Sequence, residues 1–370
     1  MTDFVVVGGG IAGVSAAAHL ARHGSVTLLE MERTLAYHTT GRSAALFAVN
    51  YGTIGVRPLA RASQRFLEHP PEGSTDDPLL SSRGLLWIGH TDQVDKIEEI
   101  AAGSIGGGEA RRLGAEEILE LVPVLREDRV AAGVYDPGAR DLDVAALHQA
   151  YVRIARRDGA EIRTEAQVIQ IEPDPPQWVV RTRHGEIRAP VVVNAAGAWG
   201  DVVAAMAGVE PIGLQPMRRT AFMVTGSEKY AGWPMVVDAD QRFYFKPDGV
   251  QLLCSLAEEV PSEPTDPRPR MEDVAEAIDR INRATTLDIS VVNSEWTGLR
   301  TFAHDRELVV GEDPTAPGFF WLVGQGGVGI QTSPAYGSLL ASLATGDGPS
   351  LDLVDADVDP AVTDPARFRR

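Results

Sequence analysis

One cysteine, Cys254, stands among 370 residues, so the chain can form no internal disulfide and no thiol-rich metal site. It lies in the run Val250-Gln251-Leu252-Leu253-Cys254, where a buried core thiol is expected, and no metal site is expected elsewhere. Long apolar runs are missing too: none approaches the roughly 20 residues needed to cross a bilayer. The start does not read as a secretion signal, because Asp3 and the glycines interrupt its apolar stretch early. A cytoplasmic protein without a transmembrane segment is the expectation. Basic charge is in deficit, 34 Lys and Arg against 52 Asp and Glu, a net charge of −18. That excess repels phosphate backbones and anionic lipid, which argues against nucleic acid or a membrane surface as partner. No internal repeat is visible.

Glycine, by contrast, is plentiful, and four of the 37 glycines fall in the first turn. Residues 5 to 30 read VVVGGGIAGVSAAAHLARHGSVTLLE. Val5, Val6 and Val7 form a β-branched run, the pattern of a strand buried on both faces of a parallel sheet. Gly8, Gly10 and Gly13 then satisfy G-x-G-x-x-G. A helix opens at Ile11 and Ala12, both expected to contact the ligand, carries Ile11, Val14, Ala18 and Leu20 on its apolar face, and closes at Gly24. A second strand, Val26-Thr27-Leu28-Leu29, ends at Glu30. The first glycine permits a tight turn, the second lets a pyrophosphate approach the backbone, and the third lets helix and strand pack closely. Phosphates then sit among unpaired N–H groups at the positive end of the helix dipole. A carboxylate ending the second strand accepts hydrogen bonds from a ribose diol and repels a 2′-phosphate. The ligand expected is therefore FAD or NAD, and not NADP.

Residues 69 to 84 are rich in Pro, Gly, Ser and Asp and read as a connection between domains. Surface helices are expected over 93–102 and 115–121, and an amphipathic helix over 143–157. The segment APVVVNAA, 189 to 196, repeats the buried-strand pattern. From 215 to 255 short apolar runs alternate around turns at Asp238-Ala239-Asp240 and Pro247-Asp248-Gly249, the spacing of an antiparallel meander. Phe319 to Val323 is another buried strand. It runs into a second glycine-rich turn, GQGGVG at 324 to 329, and then a helix from Ser333 to Leu343. The N–H groups of that turn suit negative charge. The acidic tail after Gly346 reads as a peripheral extension. Parallel-type strands at the start, middle and end imply an α/β fold. A Rossmann-like nucleotide-binding domain would be assembled from 1–78, 140–214 and 298–370. A mainly antiparallel β-sheet substrate domain with helices would take 79–139 and 215–297.

Several motifs then act together: GGGIAG with Glu30, Tyr37-His38-Thr39-Thr40-Gly41-Arg42-Ser43-Ala44-Ala45, NAAGAW at 194 to 199, GLR at 298 to 300 and GQGGVGIQTSP at 324 to 334. With GLQPMRR at 213 to 219, WPMVV at 233 to 237 and FYFKPD at 243 to 248, they cover nearly the whole chain. In these the sequence resembles the FAD-dependent D-amino acid oxidase and dehydrogenase superfamily, and within it most closely the bacterial D-arginine dehydrogenases. The resemblance implies FAD held non-covalently and an α-amino acid oxidised by hydride transfer from Cα to flavin N5. The imino acid formed is hydrolysed to a 2-oxo acid and ammonia. Around the cofactor it implies Arg42, Ser43 and Ala44 near the flavin ring and Val168 near the adenine. Ala196, Gly197 and Trp199 join them, with Gly326, Gly327, Val328, Gly329 and Ile330 from the second turn.

A substrate of this kind needs its carboxylate clamped, and arginine does so with a bidentate fork. Arg218 and Arg219 are adjacent on a strand, point to opposite faces, and only one can enter a pocket. The resemblance selects Arg219, with Arg300 as its partner and Tyr244 adding a phenolic hydrogen bond. Tyr51 corresponds to a mobile-loop tyrosine that covers the substrate. Met235 and Val237, on one strand face by period two, are implied as pocket walls, and Gly327 and Gln331 as neighbours of the flavin and substrate amine. None is an obvious general base. With a neutral amine, its lone pair assists hydride transfer, and the protein supplies orientation.

Two departures bear on the substrate. Arginine-preferring members carry a glutamate for the basic side chain, where this sequence has Leu85 in SSRGLLW. Their loop histidine and threonine match Leu46 and Ala48. The expectation is oxidative deamination of D-amino acids with neutral, mostly apolar side chains. Oxidation of an N-alkyl or cyclic amino acid such as sarcosine or proline, or flavin binding without catalysis, stay open. An NAD-dependent dehydrogenase is disfavoured by the flavin-type layout. No motif identifies the electron acceptor, oxygen or a quinone. His304 reads as a solvated loop residue, and His38 is not read as a covalent flavin attachment.

Overall fold

A computed structural model of the protein describes residues 2–104 and 110–369. The opening valines form strand β1 (Phe4–Val7), buried throughout, and helix α1 (Ile11–Leu20) leads to strand β2 (Val26–Leu29), parallel to β1 with Phe4 opposite Val26. On the other side of β1 lies Val191–Asn194, also parallel, and beyond it Phe319–Val323. Glu161–Arg163 extends the six-stranded sheet past β2, and Val309–Glu312 closes the opposite edge, antiparallel to its neighbour. The strand order reverses at β1. In an open α/β sheet, the crevice beyond the carboxyl end of such a strand is where ligands bind.

Because side chains alternate along a strand, Val6 enters one apolar layer with Leu20, Tyr151 and Tyr336, while Val5 and Val7 enter another with Trp178, Phe319 and Trp321. Helices α1, Val144–Arg157 and Ser333–Thr345 cover the first face. A small antiparallel sheet, Val168–Asp174, Gln177–Thr182 and Gly185–Ala189, contributes Val168, Ile171, Trp178, Val180 and Ala189 to the second. A parallel sheet needs both faces covered. That the second cover is a β-meander was not anticipated from sequence.

The tail after Gly346 also departs from expectation. Leu353, Ala356, Thr363 and Pro365 are buried, and Arg369 donates to the buried Asp313 at 2.7 Å. The apolar residues among its acids dock it against the sheet edge, so it is not peripheral.

The second large sheet has nine strands and is mainly antiparallel, as expected. Gln215–Thr225 pairs along its length with Val292–Phe302, Arg219 opposite Gly298, and on its other side with Gln251–Ser255. Tyr244–Asp248, Met235–Asp238, Leu85–Gly89, Ala132–Asp136 and Arg111–Gly114 follow in order. The chain order is thus not a simple meander. The 11-residue strand at 215 takes the 11-residue strand at 292 as its partner. Phe222 and Phe245 pack against Val274, Ala277 and Ile281 of the helix Met271–Ala284. No helix among the described residues is long and apolar enough to cross a membrane.

Candidate active site

Beyond β1 the backbone turns through Gly8 at φ +112°, a region that side-chain-bearing residues rarely adopt. A Cβ on Gly8 would stand 2.4 Å from the Ala195 carbonyl oxygen, and one on Gly13 1.8 Å from that of Gly8. Backbone blocks both positions, so helix and strand can approach only over glycine. Helix α1 starts after Gly10 with no side-chain cap and no acid in its first turn, leaving its positive end toward the crevice. Thr40 Oγ1 accepts the N–H of Ile11 at 3.0 Å. Gly9 is held on both sides: its N–H donates to Glu30 Oε2 at 2.6 Å, and its carbonyl accepts from His148 Nε2 at 3.0 Å. Burial holds the His148 pKa below the usual histidine value, which favours the neutral ring. Glu30 is buried and also accepts the N–H of Glu32 at 2.8 Å, through Oε1. A carboxylate has about four lone-pair sites, so it retains capacity for a diol.

Around this turn runs a cavity of about 270 Å³. It is lined by Val168, Met206 and Glu30, by Gly8, Gly9, Gly10, Ile11 and Ala12, and by Ala196, Gly197 and Trp199. Arg42, Ser43, Ala44, Gly326, Gly327, Gly329 and Ile330 line it as well, together with Arg219, Tyr244 and Arg300. A cleft lined by the start of helix α1 and by a buried carboxylate at the end of β2 fits the ribose and diphosphate of a dinucleotide. Gly13 stays behind it as packing, and Val328 lines a neighbouring cavity instead. The Arg42 guanidinium is committed to Asp266 at 2.5 Å and to the Thr297 carbonyl at 2.7 Å. His38 lines the cleft, with Nε2 2.9 Å from Glu32 Oε1 and its ring 4.7 Å from that of Trp199. His304 meets Phe368 edge-on at 5.3 Å and does not line the cleft.

Strand alternation separates the two adjacent arginines. Arg218 turns away and donates to the Arg268 carbonyl at 2.6 Å. Arg219 enters the cavity, its Nε donating to the Glu258 carbonyl at 2.9 Å and its Nη2 to Glu259 Oε1 at 3.2 Å. Burial, and then the charge of Arg300, lower its pKa from the ordinary arginine value. Arg300 has no hydrogen-bond or ion-pair partner among the described residues. Tyr244, 4% exposed, faces the same space. Two guanidinium groups in one cavity, one of them unpaired, make a site for a small anion.

Arg300, Gln325 and Gly327 also line a second cavity of about 490 Å³. Its apolar wall is Ala48, Leu85, Trp87, Ile100 and Val134, with Tyr51 stacked on Trp87 at 6.5 Å between ring centroids. Leu46, Met235 and Val237 line neither cavity and pack behind the wall with Leu85, Ala48 and Tyr244. Gln331 does not face the cleft either: its amide accepts the Ala48 N–H at 2.9 Å and donates to the Tyr51 carbonyl at 3.5 Å. It fixes the loop that carries Tyr51. Trp87, Asp136, Glu99, Glu259, Arg57 and Arg306 line the second cavity without any local sequence signal; distant strand pairings bring Trp87 and Asp136 there, and Arg57 and Glu99 arrive on helices. Among the described residues no group of three His, Cys, Asp or Glu side chains could hold a metal ion. Cys254 is fully buried, and burial pushes its thiol pKa up.

The comparisons agree on one family. Human mitochondrial sarcosine dehydrogenase is 27% identical over 96% of this chain and 41% of its own length, so the chain spans about two fifths of that relative. Glycine oxidase of Geobacillus kaustophilus is 25% identical over 95% of each chain. Its crystal structure superposes with a TM-score of 0.85, covering 97% of this chain and 98% of the other at 24% identity. L-proline dehydrogenase from P. horikoshii superposes with a TM-score of 0.86, covering 100% and 98% at 22% identity, a likeness of fold. The profile of the family described as FAD dependent oxidoreductase, DAO, matches residues 3–343. With the glycine turn, the buried Glu30 and the cleft between them, that match shows that the chain belongs to the FAD-dependent oxidoreductases of the DAO family.

Proposed function

We propose that this protein oxidises amino acids at the Cα–N bond and takes D-amino acids with neutral, mostly apolar side chains. The observation that carries this reading is Arg300, an unpartnered guanidinium where the dinucleotide cleft meets the second cavity, with Arg219 and Tyr244 beside it. FAD, when bound, supplies the two-electron acceptor. Glu30 would hold its ribose, the start of helix α1 its diphosphate, and Ser43, Ala44, Gly326 and Gly327 its ring. The two arginines would grip the substrate carboxylate and turn Cα toward the cleft, an orienting role that needs no general base. The side chain would extend along Leu85, Trp87 and Val134. A cavity of about 490 Å³ offers more room than glycine needs and falls in the range that holds whole small-molecule ligands.

A second reading, oxidation of N-alkyl amino acids, is supported by the sarcosine dehydrogenase relative, because a clamp that reads only the carboxylate serves both. The test is anaerobic mixing of the flavin-loaded protein with D- and L-Leu, Met and Phe, and with sarcosine and proline. Bleaching by D-Leu and not L-Leu is expected. Bleaching by sarcosine alone would favour the second reading, and no bleaching by any compound would refute both. Admitting air afterwards, or adding a quinone, identifies an acceptor. Acid precipitation should release the flavin into the supernatant, as a non-covalent cofactor requires.

A further inference from the structure

Glu259 lines the second cavity and contacts two arginines at once. Its Oε1 accepts from Arg219 Nη2 at 3.2 Å and from Arg306 Nη2 at 3.0 Å, and its Oε2 accepts from Arg306 Nη2 at 2.9 Å. The shorter contacts go to Arg306. We propose that Arg306 is a positioning residue that holds Glu259 back from Arg219, and that Glu259 is an internal rival for the substrate carboxylate. The inference rests on the reading that Arg219 binds that carboxylate.

Arg306 is built to stay in place. Its backbone sits in the left-handed region at φ +64°, and its guanidinium lies over the Phe302 ring at 3.9 Å. Phe302 in turn abuts the second glycine turn so closely that a Cβ on Gly326 would fall 2.1 Å from its Cε1. The backbone that carries Glu259 is anchored independently of its side chain. The Glu258 carbonyl receives Arg219 Nε at 2.9 Å, and Glu258 Oε1 accepts the Thr220 N–H at 2.5 Å. Arg219 therefore keeps its aim when the Glu259 carboxylate is removed. What changes is the charge it presents. A carboxylate shared with Arg306 neutralises Arg219 only in part, whereas one released from Arg306 would swing fully onto it and occupy the fork a substrate needs.

The test uses the FAD-loaded protein, titrated with benzoate while the flavin spectrum is followed, alongside steady-state kinetics with the best amino acid substrate. Glu259 is 32% exposed and Arg306 48%, so the pair is partly screened. R306A should weaken benzoate binding and raise KM about three- to tenfold, more than it lowers kcat, with flavin content retained. R306K should recover part of the loss. E259Q should tighten benzoate binding, and R306A/E259Q should match E259Q, because without the rival there is nothing to restrain. If the R306A defect persists undiminished in the double variant, or E259Q weakens binding, the inference is overturned. Benzoate binding indifferent to R306A overturns it alone. A flavin-loaded wild type whose spectrum and kinetics respond to no carboxylate overturns the clamp reading, and this inference with it.

Discussion

The chain has two glycine-rich turns, and their glycines meet different neighbours. At 8 to 13 an added Cβ would strike backbone, 1.8 Å from the Gly8 carbonyl oxygen at Gly13 and 2.4 Å from that of Ala195 at Gly8. At 324 to 329 it would strike side chains: the Phe302 ring at Gly326, Arg300 Nη1 at 2.9 Å at Gly327, and Gln325 Cβ at 2.7 Å at Gly329. Backbone held directly after a strand cannot readily step aside, and a guanidinium can. The turns also stand differently to their helices. Helix α1 opens inside the first, whereas Ser333–Thr345 begins four residues after Gly329. Across that interval the N–H groups of Val328, Thr332 and Ser333 donate to the carbonyls of Gln325, Val328 and Ile330. Within the turn itself, the Gly326 N–H goes to the Thr301 carbonyl and the Val328 N–H to the Gln325 carbonyl. The first turn joins helix to sheet and, in the reading proposed above, would receive the cofactor. The second fits closely around Arg300 and Phe302.

The sharpest way to break this contrast is at Gly13. Gly13→Val should yield protein that is aggregated or free of FAD, since strand, turn and helix cannot all keep their places. A soluble variant with full flavin content, measured by absorbance after purification, would show that the backbone approach is not required. Next in size are the arginines. Removing one partner of a desolvated carboxylate clamp costs about 2–5 kcal/mol, so Arg219→Ala and Arg300→Ala should each lower kcat/KM by roughly 30- to several thousand-fold. Flavin content should survive both changes. Near-wild-type kinetics in both would remove the carboxylate from this end of the cleft.

How much of this was legible in the sequence depends on how local each feature is. The first turn was readable because strand, glycines, helix and Glu30 follow one another within about thirty residues and each has its own pattern. Strand alternation separated Arg218 from Arg219, but the choice between them came from resemblance, and Arg300 reaches the site through the pairing of 215–225 with 292–302. Asp136 stands opposite Leu85 across strands far apart in sequence, a register set by packing and turns that no local pattern reports. The same holds for Gln331, a polar residue beside a glycine turn. Its partners, Ala48 and Tyr51, are about 280 positions away, so the hydrogen bonds that tie it to their loop cannot be read locally.

A smaller effect should sharpen the contrast at the second turn. In Gly327→Ala the new methyl meets the end of a flexible side chain, so Arg300 shifts by a few tenths of an ångström and the fold holds. The expected result is normal flavin content with about a tenfold loss in kcat/KM, or roughly 1.4 kcal/mol, from a loosened clamp. Loss of flavin in this variant would mean that the second turn, like the first, answers to the backbone.

The smallest effect concerns the side chain of the substrate. Leu85 lies opposite Asp136, and both line the second cavity. The acids there already have partners: Asp136 Oδ1 accepts the Gly138 N–H at 2.9 Å, Glu99 accepts from Lys96 at 2.7 Å, and Glu259 is taken by two arginines. A substrate guanidinium would enter beside Leu85 and have to draw its counter-ion from acids that already hold the protein's own donors. Desolvating an unpaired cation is strongly unfavourable, while each buried methylene contributes about 0.8 kcal/mol. Wild-type kcat/KM should therefore be higher for D-Leu than for D-Arg. In Leu85→Glu the ratio should move toward D-Arg by roughly tenfold, the scale of one partly screened ion pair. Measuring both substrates on the same preparation removes any difference in folded fraction from the ratio. A wild-type preference for D-Arg would refute the apolar reading of this wall. Asp136→Asn would then be the next variant, and loss of that preference would move specificity to the strand opposite Leu85 while leaving the arginine clamp in place.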